Sequence, residues 1–345
     1  MKITLLNRLW AIVAIASLGI SSCKTENGLA LDPSEKLSSV TLNETAVLLE
    51  HDWLRFRDIK SFEATISQLE KLSSEDALDR WASKHKGFNS WRSDEPQEVF
   101  DKPEEAILDI PDPLLTTVLS NSGRIQIADT IYQVGQQKGK PVLYAIPEKF
   151  SIEVSKGIDP AQLKVKAHAL GLLLLPFPRW NDRDDIVIPH PTFDICDFPG
   201  TFLFPWWGQK GGSLYSADSG AELTKDNGRN VRIDYHRWRV GFIFYSSIGV
   251  RVKIMKHTRL GGWMSTVKMN SASIQACSAG MVFIPGLIPA PYHAQGSASA
   301  NNVGNLERTL KWVAAPMHVE ILPENFNFKF DVNYRGQSVS RFIRE

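Results

Sequence analysis

The chain has 345 residues, 43% of them hydrophobic and 22% charged, with a formal net charge of +1. That length and apolar share suit one large or two ordinary globular domains with a proper core. A near-neutral balance supplies no basic field for nucleic acid and no acidic field for cationic partners, so nucleic-acid binding is not expected.

Met1–Lys24 has the layout of a secretory leader. Lys2 and Arg8 give a basic start, Leu9–Ile20 is an apolar run, and Ile20-Ser21-Ser22-Cys23 ends it with small residues. The ending resembles the bacterial lipobox, which implies cleavage before Cys23 and lipidation of that cysteine. The apolar run is short against the ~20 residues of a spanning helix, and no later run is long enough to span a bilayer. The expected address is the cell envelope, at the outer membrane, with acyl chains as the membrane contact. Cys196 and Cys277 then remain as one candidate disulfide in an oxidising compartment. Two separately buried thiols are the other reading of that pair.

From Thr25 to about Thr45 the chain is polar and weakly patterned, a tether. Trp53–Phe56 reads as a short strand. Asp58 or Ser61 can cap a helix with Ile59, Phe62, Ile66 and Leu69 on one face, and Ser73 a second helix carrying Leu78 and Trp81 and stopping near Gly87. Phe56, Ser61-Phe62, Leu69-x-x-Leu72-Ser73, Trp81 and Gly87-Phe88-x-Ser90 together resemble the N-terminal pattern of Bacteroidetes envelope lipoproteins of unknown function. Asn121–Tyr132 is similar to the hairpin of those proteins, with Ala128 where they are expected to carry glycine. Ser247-Ile248-Gly249-Val250 and Gly261-Gly262-Trp263 are similar as well. The resemblance implies an address and a rough fold, and it brings no catalytic residue.

Glu95–Pro113 is acidic and proline-rich, a surface loop. Leu114–Leu119 and Arg124–Tyr132 read as strands around the turn Asn121-Ser122-Gly123, and Pro141–Ile146 as another. Gly135–Lys140 is too short for a phosphate loop and is followed by Pro141 where a hydroxyl belongs. Pro176–Gly208 combines six prolines with Phe and Trp residues, an irregular crossing. Beyond Arg229 the pattern is β. Val231, Ile233 and Tyr235 alternate with Arg232, Asp234 and His236, and Ile248–Ile254 repeats this against Arg251 and Lys253, so one face should be buried and one wet. Further strands are expected near Trp263–Met269, Ile274–Ile284, Thr309–Val313, His318–Leu322 and Phe326–Tyr334. Pro285–Asn305 reads as a long loop of small and polar residues.

The expected fold is α+β: an N-terminal helix pair with a small antiparallel sheet, followed by a larger antiparallel β domain that is sandwich-like. The expected divisions are a leader at 1–22, anchor and tether at 23–50, an N-terminal portion at 51–165 and a C-terminal β-rich domain at 166–345.

Catalytic signatures are missing from the sequence. The segment His190–Cys196 lacks paired metal-ligand spacing, Asn181–Asp185 lacks the glycine and distal glutamate of a calcium loop, and Gly211-Gly212-Ser213 is not followed by the glycine of a nucleophile elbow. No cofactor and no metal are expected. Trp180, Trp206 and Trp207 are the candidate ligand platform, because exposed indoles stack on sugars or fill a partner's pocket; core packing is the competing role. The chain therefore reads as a non-catalytic envelope lipoprotein that binds a glycan, a peptide or a partner protein. The alternatives are a hydrolase of envelope or imported polymers, and an assembly role.

Overall fold

The computed structural model describes residues 47–72, 74–94, 98–99, 110–137, 140–170, 224–226, 229–257, 263–264 and 267–343. Strands β1 (Val47–Glu50) and β2 (Trp53–Phe56) pair antiparallel and lead into helix α1 (Ile59–Glu70). Asp58 caps α1 reciprocally: its carboxylate accepts from the Ser61 amide at 2.8 Å, and its own amide donates to Ser61 Oγ at 3.0 Å. Phe62, Ile66 and Leu69, at helical spacing, are fully buried. Helix α2 (Glu75–Ser83) is capped one residue later than expected, by Ser74. A short turn of 3-10 helix at Trp91–Asp94 and strand β3 (Glu98–Val99) follow.

Leu114–Leu119 is not a strand. Helix α3 runs over Pro113–Val118 with Asp112 as its cap. Six apolar and β-branched residues carry no decisive period, whereas an aspartate followed by proline is the start of a helix, with a cap and a preset φ at its first position. Strands β4 (Arg124–Ile127), β5 (Thr130–Gln137) and β6 (Lys140–Pro147), helix α4 (Ser151–Ser155) and strand β7 (Lys166–Ala169) complete the first half. Its sheet has the order β1-β2-β4-β5-β6-β7 and contains one parallel pair, β2 with β4. Arg124–Tyr132 is thus two strands, and the hairpin between them turns at Ala128-Asp129.

Ala128 sits at φ 55°, the left-handed region that glycine enters freely. Its amide donates to the Phe56 carbonyl at 2.9 Å and its carbonyl accepts from Gln126 Nε2 at 3.2 Å, so neighbouring strands hold the turn. Ala128→Gly is therefore expected to stabilise the protein by about 0.5–1 kcal/mol, read as a higher urea midpoint. A lower midpoint would mean that the turn does not hold position 128 at positive φ.

The second half is antiparallel throughout its described strands. Strands β8 (Thr224–Asp226), β9 (Arg229–Gly241), β10 (Tyr245–His257) and β11 (Trp263–Met264) join β3 in the order β3-β11-β10-β9-β8, and β14 (Asn305–Ala314) also pairs with β10. A four-stranded sheet has the order β13-β12-β15-β16, built from β12 (Met269–Phe283), β13 (Ala290–Val303), β15 (Glu320–Tyr334) and β16 (Gln337–Ile343). Val231, Ile233, Val250, Val252 and Ile254 from the first of these sheets share a core with Ile274, Phe328, Phe330 and Val332 from the other.

Three expectations change here. Pro285–Asn305 is mostly the strand β13, which its alanines, serines and glycine do not advertise because β propensity resides in branched and aromatic side chains. The strands expected at His318–Leu322 and Phe326–Tyr334 are one strand, β15, which starts at Glu320 and is interrupted by a register shift next to Pro323 that tolerates the missing amide. The face expected to be wet is largely buried: Asp234, Arg251 and Lys253 are at most 9% exposed, and Arg232 is half-buried. The reason lies in β9 and β10 themselves. Their alternate residues Trp238, Val240 and Tyr245 join a second core with Leu54, Phe56, Phe62 and Leu115 of the first half. The Phe62 ring meets Phe56, Phe244 and Tyr245 edge-on at centroid distances of 5.3, 5.4 and 6.0 Å.

Among the described residues the architecture is mostly β-sheet with few, short helices and no closed barrel.

Candidate functional site

Asp112 is the centre from which the site is held. Its side chain is completely buried and accepts five hydrogen bonds. Oδ1 takes the Leu114 amide at 2.9 Å, the Leu115 amide at 3.4 Å and the Thr309 hydroxyl at 3.1 Å. Oδ2 takes the Tyr245 hydroxyl at 2.7 Å and the Ser247 hydroxyl at very short range. One carboxylate thereby ties α3 to β10 and β14. Burial pushes its pKa above the ordinary carboxyl value, and the hydrogen bonds from Ser247, Tyr245 and the two amides pull it part of the way back. Burial, with the Asp112 charge beside it, also holds the Tyr245 hydroxyl well above its usual range. With no exposure to solvent, Asp112 positions structure and does not meet substrate.

A second polar cluster lies beyond α3. The Arg92 guanidinium donates to Asp79 Oδ1 at 3.1 Å and lies 3.8 Å from Glu75 and 3.7 Å from Glu307. Glu307 in turn lies 3.6 Å from Arg251 and accepts from Asn305 Nδ2 at 2.8 Å. Burial alone would lower the Arg92 pKa; Glu307, Glu75 and Asp79 outweigh it and hold the guanidinium above its ordinary value. These charges sit beside a cleft of about 320 Å³. Leu72 from the connection between α1 and α2, Leu78 and Leu114 from α2 and α3, and Leu306 from β14 give it apolar surface, and Glu75, Glu307 and Arg308 line it with charge.

The cleft follows strand edges. Ala298, Ser299, Ala300 and Asn301 are consecutive in β13, and all four line it. Successive strand residues point to opposite faces, so only an edge presents four in a row. Leu306, Glu307, Arg308 and Thr309 of β14 line it in the same way. Strand β13 is the outermost strand of its sheet, and β14 pairs with β10. The two strands leave the corner Val303-Gly304-Asn305 into different sheets, and the cleft opens between their diverging edges. Gly296 lets the Arg308 side chain lie across β13: a Cβ there would come within 3.2 Å of both Arg308 Cγ and Nε.

Of the residues singled out in the sequence, Cys23, Cys196, Trp180, Trp206 and Trp207 lie outside the described residues, as do His190–Cys196 and Asn181–Asp185. Cys277 is described. It is fully buried in β12 and disulfide-bonded, and His293 Nε2 of β13 lies 3.4 Å from its sulfur. Among the described residues no three His, Cys, Asp or Glu side chains gather as a metal site, and no helix is long and apolar enough to cross a membrane. Sequence reading missed Asp112, Arg92, Glu307 and Arg308. Only Asp112 announced itself, through the proline after it; Arg92 comes from the 3-10 turn and Glu307 and Arg308 from the distant strand β14.

No family model matches the chain, and no curated protein matches it. Among solved structures the chain is similar to a DUF4848 family protein from Bacteroides thetaiotaomicron, at 10% identity, covering 87% of this chain and 100% of that one, with a TM-score of 0.19.

Proposed function

We propose that this chain is a lipid-anchored, non-catalytic binding protein of the cell envelope, held at the outer membrane through Cys23, and that it takes an extended peptide or a strand of a partner protein into the cleft between β13 and β14. The observation that carries the reading is the pair of strand edges that line the cleft. An incoming extended chain can add to a strand edge by pairing with its backbone. The carboxylates of Glu75 and Glu307 are shared with Arg92 and Arg251, which suits a wall that positions a ligand more than one that moves protons. The architecture is read as an α+β first half bearing its helices, followed by sandwich-like layering. Cys196 is taken as the disulfide partner of Cys277, which leaves Cys23 for the lipid.

Two measurements test this. A fatty-acid probe should label the wild type in cells and leave Cys23→Ala unlabelled; equal labelling of both would remove the anchor. An array of extended peptides probed with the soluble chain from Lys24 onward should yield binders whose affinity falls about tenfold or more in Ser299→Pro, because proline blocks a pairing amide. Binders indifferent to that change would overturn the edge reading. Retardation in polysaccharide gels that is lost in Trp206→Ala/Trp207→Ala would transfer the function to a sugar platform.

A further inference from the structure

The longest uncharged stretch of the sequence coincides with one hairpin. Met269–Leu306 contains no Asp, Glu, Lys or Arg, in a chain that is 22% charged. It comprises β12, β13 and the tip Ile284–Pro289 between them. Leu287 is 65% exposed and Ile288 91% exposed, the two most exposed large apolar side chains among the described residues. Phe283, at 37%, is the last residue of β12, next to the tip. Met317, at 42%, precedes β15, whose Glu320 pairs with Phe283, so it belongs to the same end of the sheet. Pro285 and Pro289 flank the turn and limit its freedom, and the Leu287 amide donates to the Ile284 carbonyl at 3.0 Å. The protein thus presents a stiff, convex, aliphatic tip to solvent at an evident hydrophobic cost.

We infer that this tip inserts into the interfacial region of a lipid bilayer. Three observations favour a bilayer over a protein partner. Protein hot spots are rich in Trp, Tyr and Arg and lie in closed pockets, whereas this surface protrudes and offers leucine and isoleucine. Charged side chains oppose entry into lipid, and the hairpin carries none. Finally, the anchor proposed at Cys23 keeps a membrane close. This last point rests on the lipoprotein reading; the first two do not. The acyl chains would hold the protein at the surface, and the tip would fix which way its sheets stand on it.

Vesicle flotation decides the matter. The protein is the soluble chain from Lys24 to Glu345, which lacks the lipid; the compact unit Asn43–Glu345 holds all three hydrophobic cores. The vesicles are phosphatidylethanolamine with phosphatidylglycerol. The parent should float with them, and Leu287→Ser/Ile288→Ser should lower the partition coefficient by about tenfold per side chain, roughly a hundredfold together. Leu48→Ser/Ile152→Ser removes two aliphatics of similar exposure elsewhere, 57% and 59%, and should float as the parent does. An unchanged thermal melt confirms that the tip variant folds. The inference is overturned by a parent that stays with the buffer, by a tip variant that floats equally well, or by one that alters self-association without altering flotation. Because the protein used carries no lipid, none of these outcomes depends on the Cys23 labelling result.

Discussion

Gly249→Ala is expected to destabilise the protein by about 3 kcal/mol, at the upper end of what overpacking a core costs. Gly249 lies in the middle of β10, opposite Trp238 on one side and Thr309 on the other, at the point where the β10–β14 register shifts. A Cβ there would overlap both the Trp238 indole and the Arg308 carbonyl oxygen. The indole is 6% exposed and wedged into the core shared by the two halves, so it has little room to swing aside. The carbonyl belongs to a paired strand and moves only if that strand moves. Urea unfolding read by tryptophan fluorescence gives the loss directly. Trp238→Phe should recover part of it, since a smaller ring relieves one overlap and leaves the other. A loss below ~0.5 kcal/mol would show that the indole does not lie over position 249.

Asp112→Ala should cost about as much, ~3–5 kcal/mol, for a different reason. Alanine leaves two amides of α3 and the hydroxyls of Thr309, Tyr245 and Ser247 without their acceptor in a site that water does not reach. Asp112→Asn keeps an acceptor oxygen for the amides, and its NH2 can donate to the Tyr245 and Ser247 oxygens once those hydroxyls turn their hydrogens away, so its cost should be smaller, ~1–2 kcal/mol. The two variants also differ from the parent in pH dependence. Burial raises the folded-state pKa of Asp112 above its unfolded value. Protonation is then favoured in the folded protein, and the resulting stability is complete below the unfolded pKa and lost as pH rises through the folded one. The stability of the parent relative to Asn should therefore decline from about pH 4 upward until the folded carboxyl has ionised. A difference that is flat with pH, or that grows, would mean that the hydrogen bonds outweigh burial.

How far the sequence alone reached can be judged from particular elements. Trp53–Phe56 and the α1 face of Phe62, Ile66 and Leu69 were legible because a period stands out when large apolar residues alternate with polar ones. The β character expected over Ile274–Ile284 was legible too, and β12 covers it up to Phe283. Helix α3 was not legible, since Leu114–Leu119 is short and apolar throughout, and the deciding signal lies in Asp112-Pro113 outside it. Strand β13 hid because its residues are small, and its place is set by pairing with β12 along its whole length. The wet face of β9 and β10 was misjudged for a deeper reason. Alternation reports that two faces differ, but it does not report that another part of the chain will cover the polar one with Trp238 and Tyr245 as its contacts. The cleft was invisible for the same cause: Arg92, Glu75 and Glu307 mean nothing at their sequence positions and become a cluster only in three dimensions.

The acceptor atoms of Asp112 also set an order of events in folding. Its hydroxyl donors stand 133, 135 and 197 residues further along the chain. During synthesis from the N-terminus, α3 emerges long before β10 and β14 exist, with its cap oxygen facing water. Loops of that length must close before the contacts they bring together can repay the lost entropy, so the first half cannot complete its core until the second half arrives. Folding of this chain should be slow and should finish late, with the helices settling last onto an already assembled sheet. That delay is built into the hydrogen bonds of Asp112.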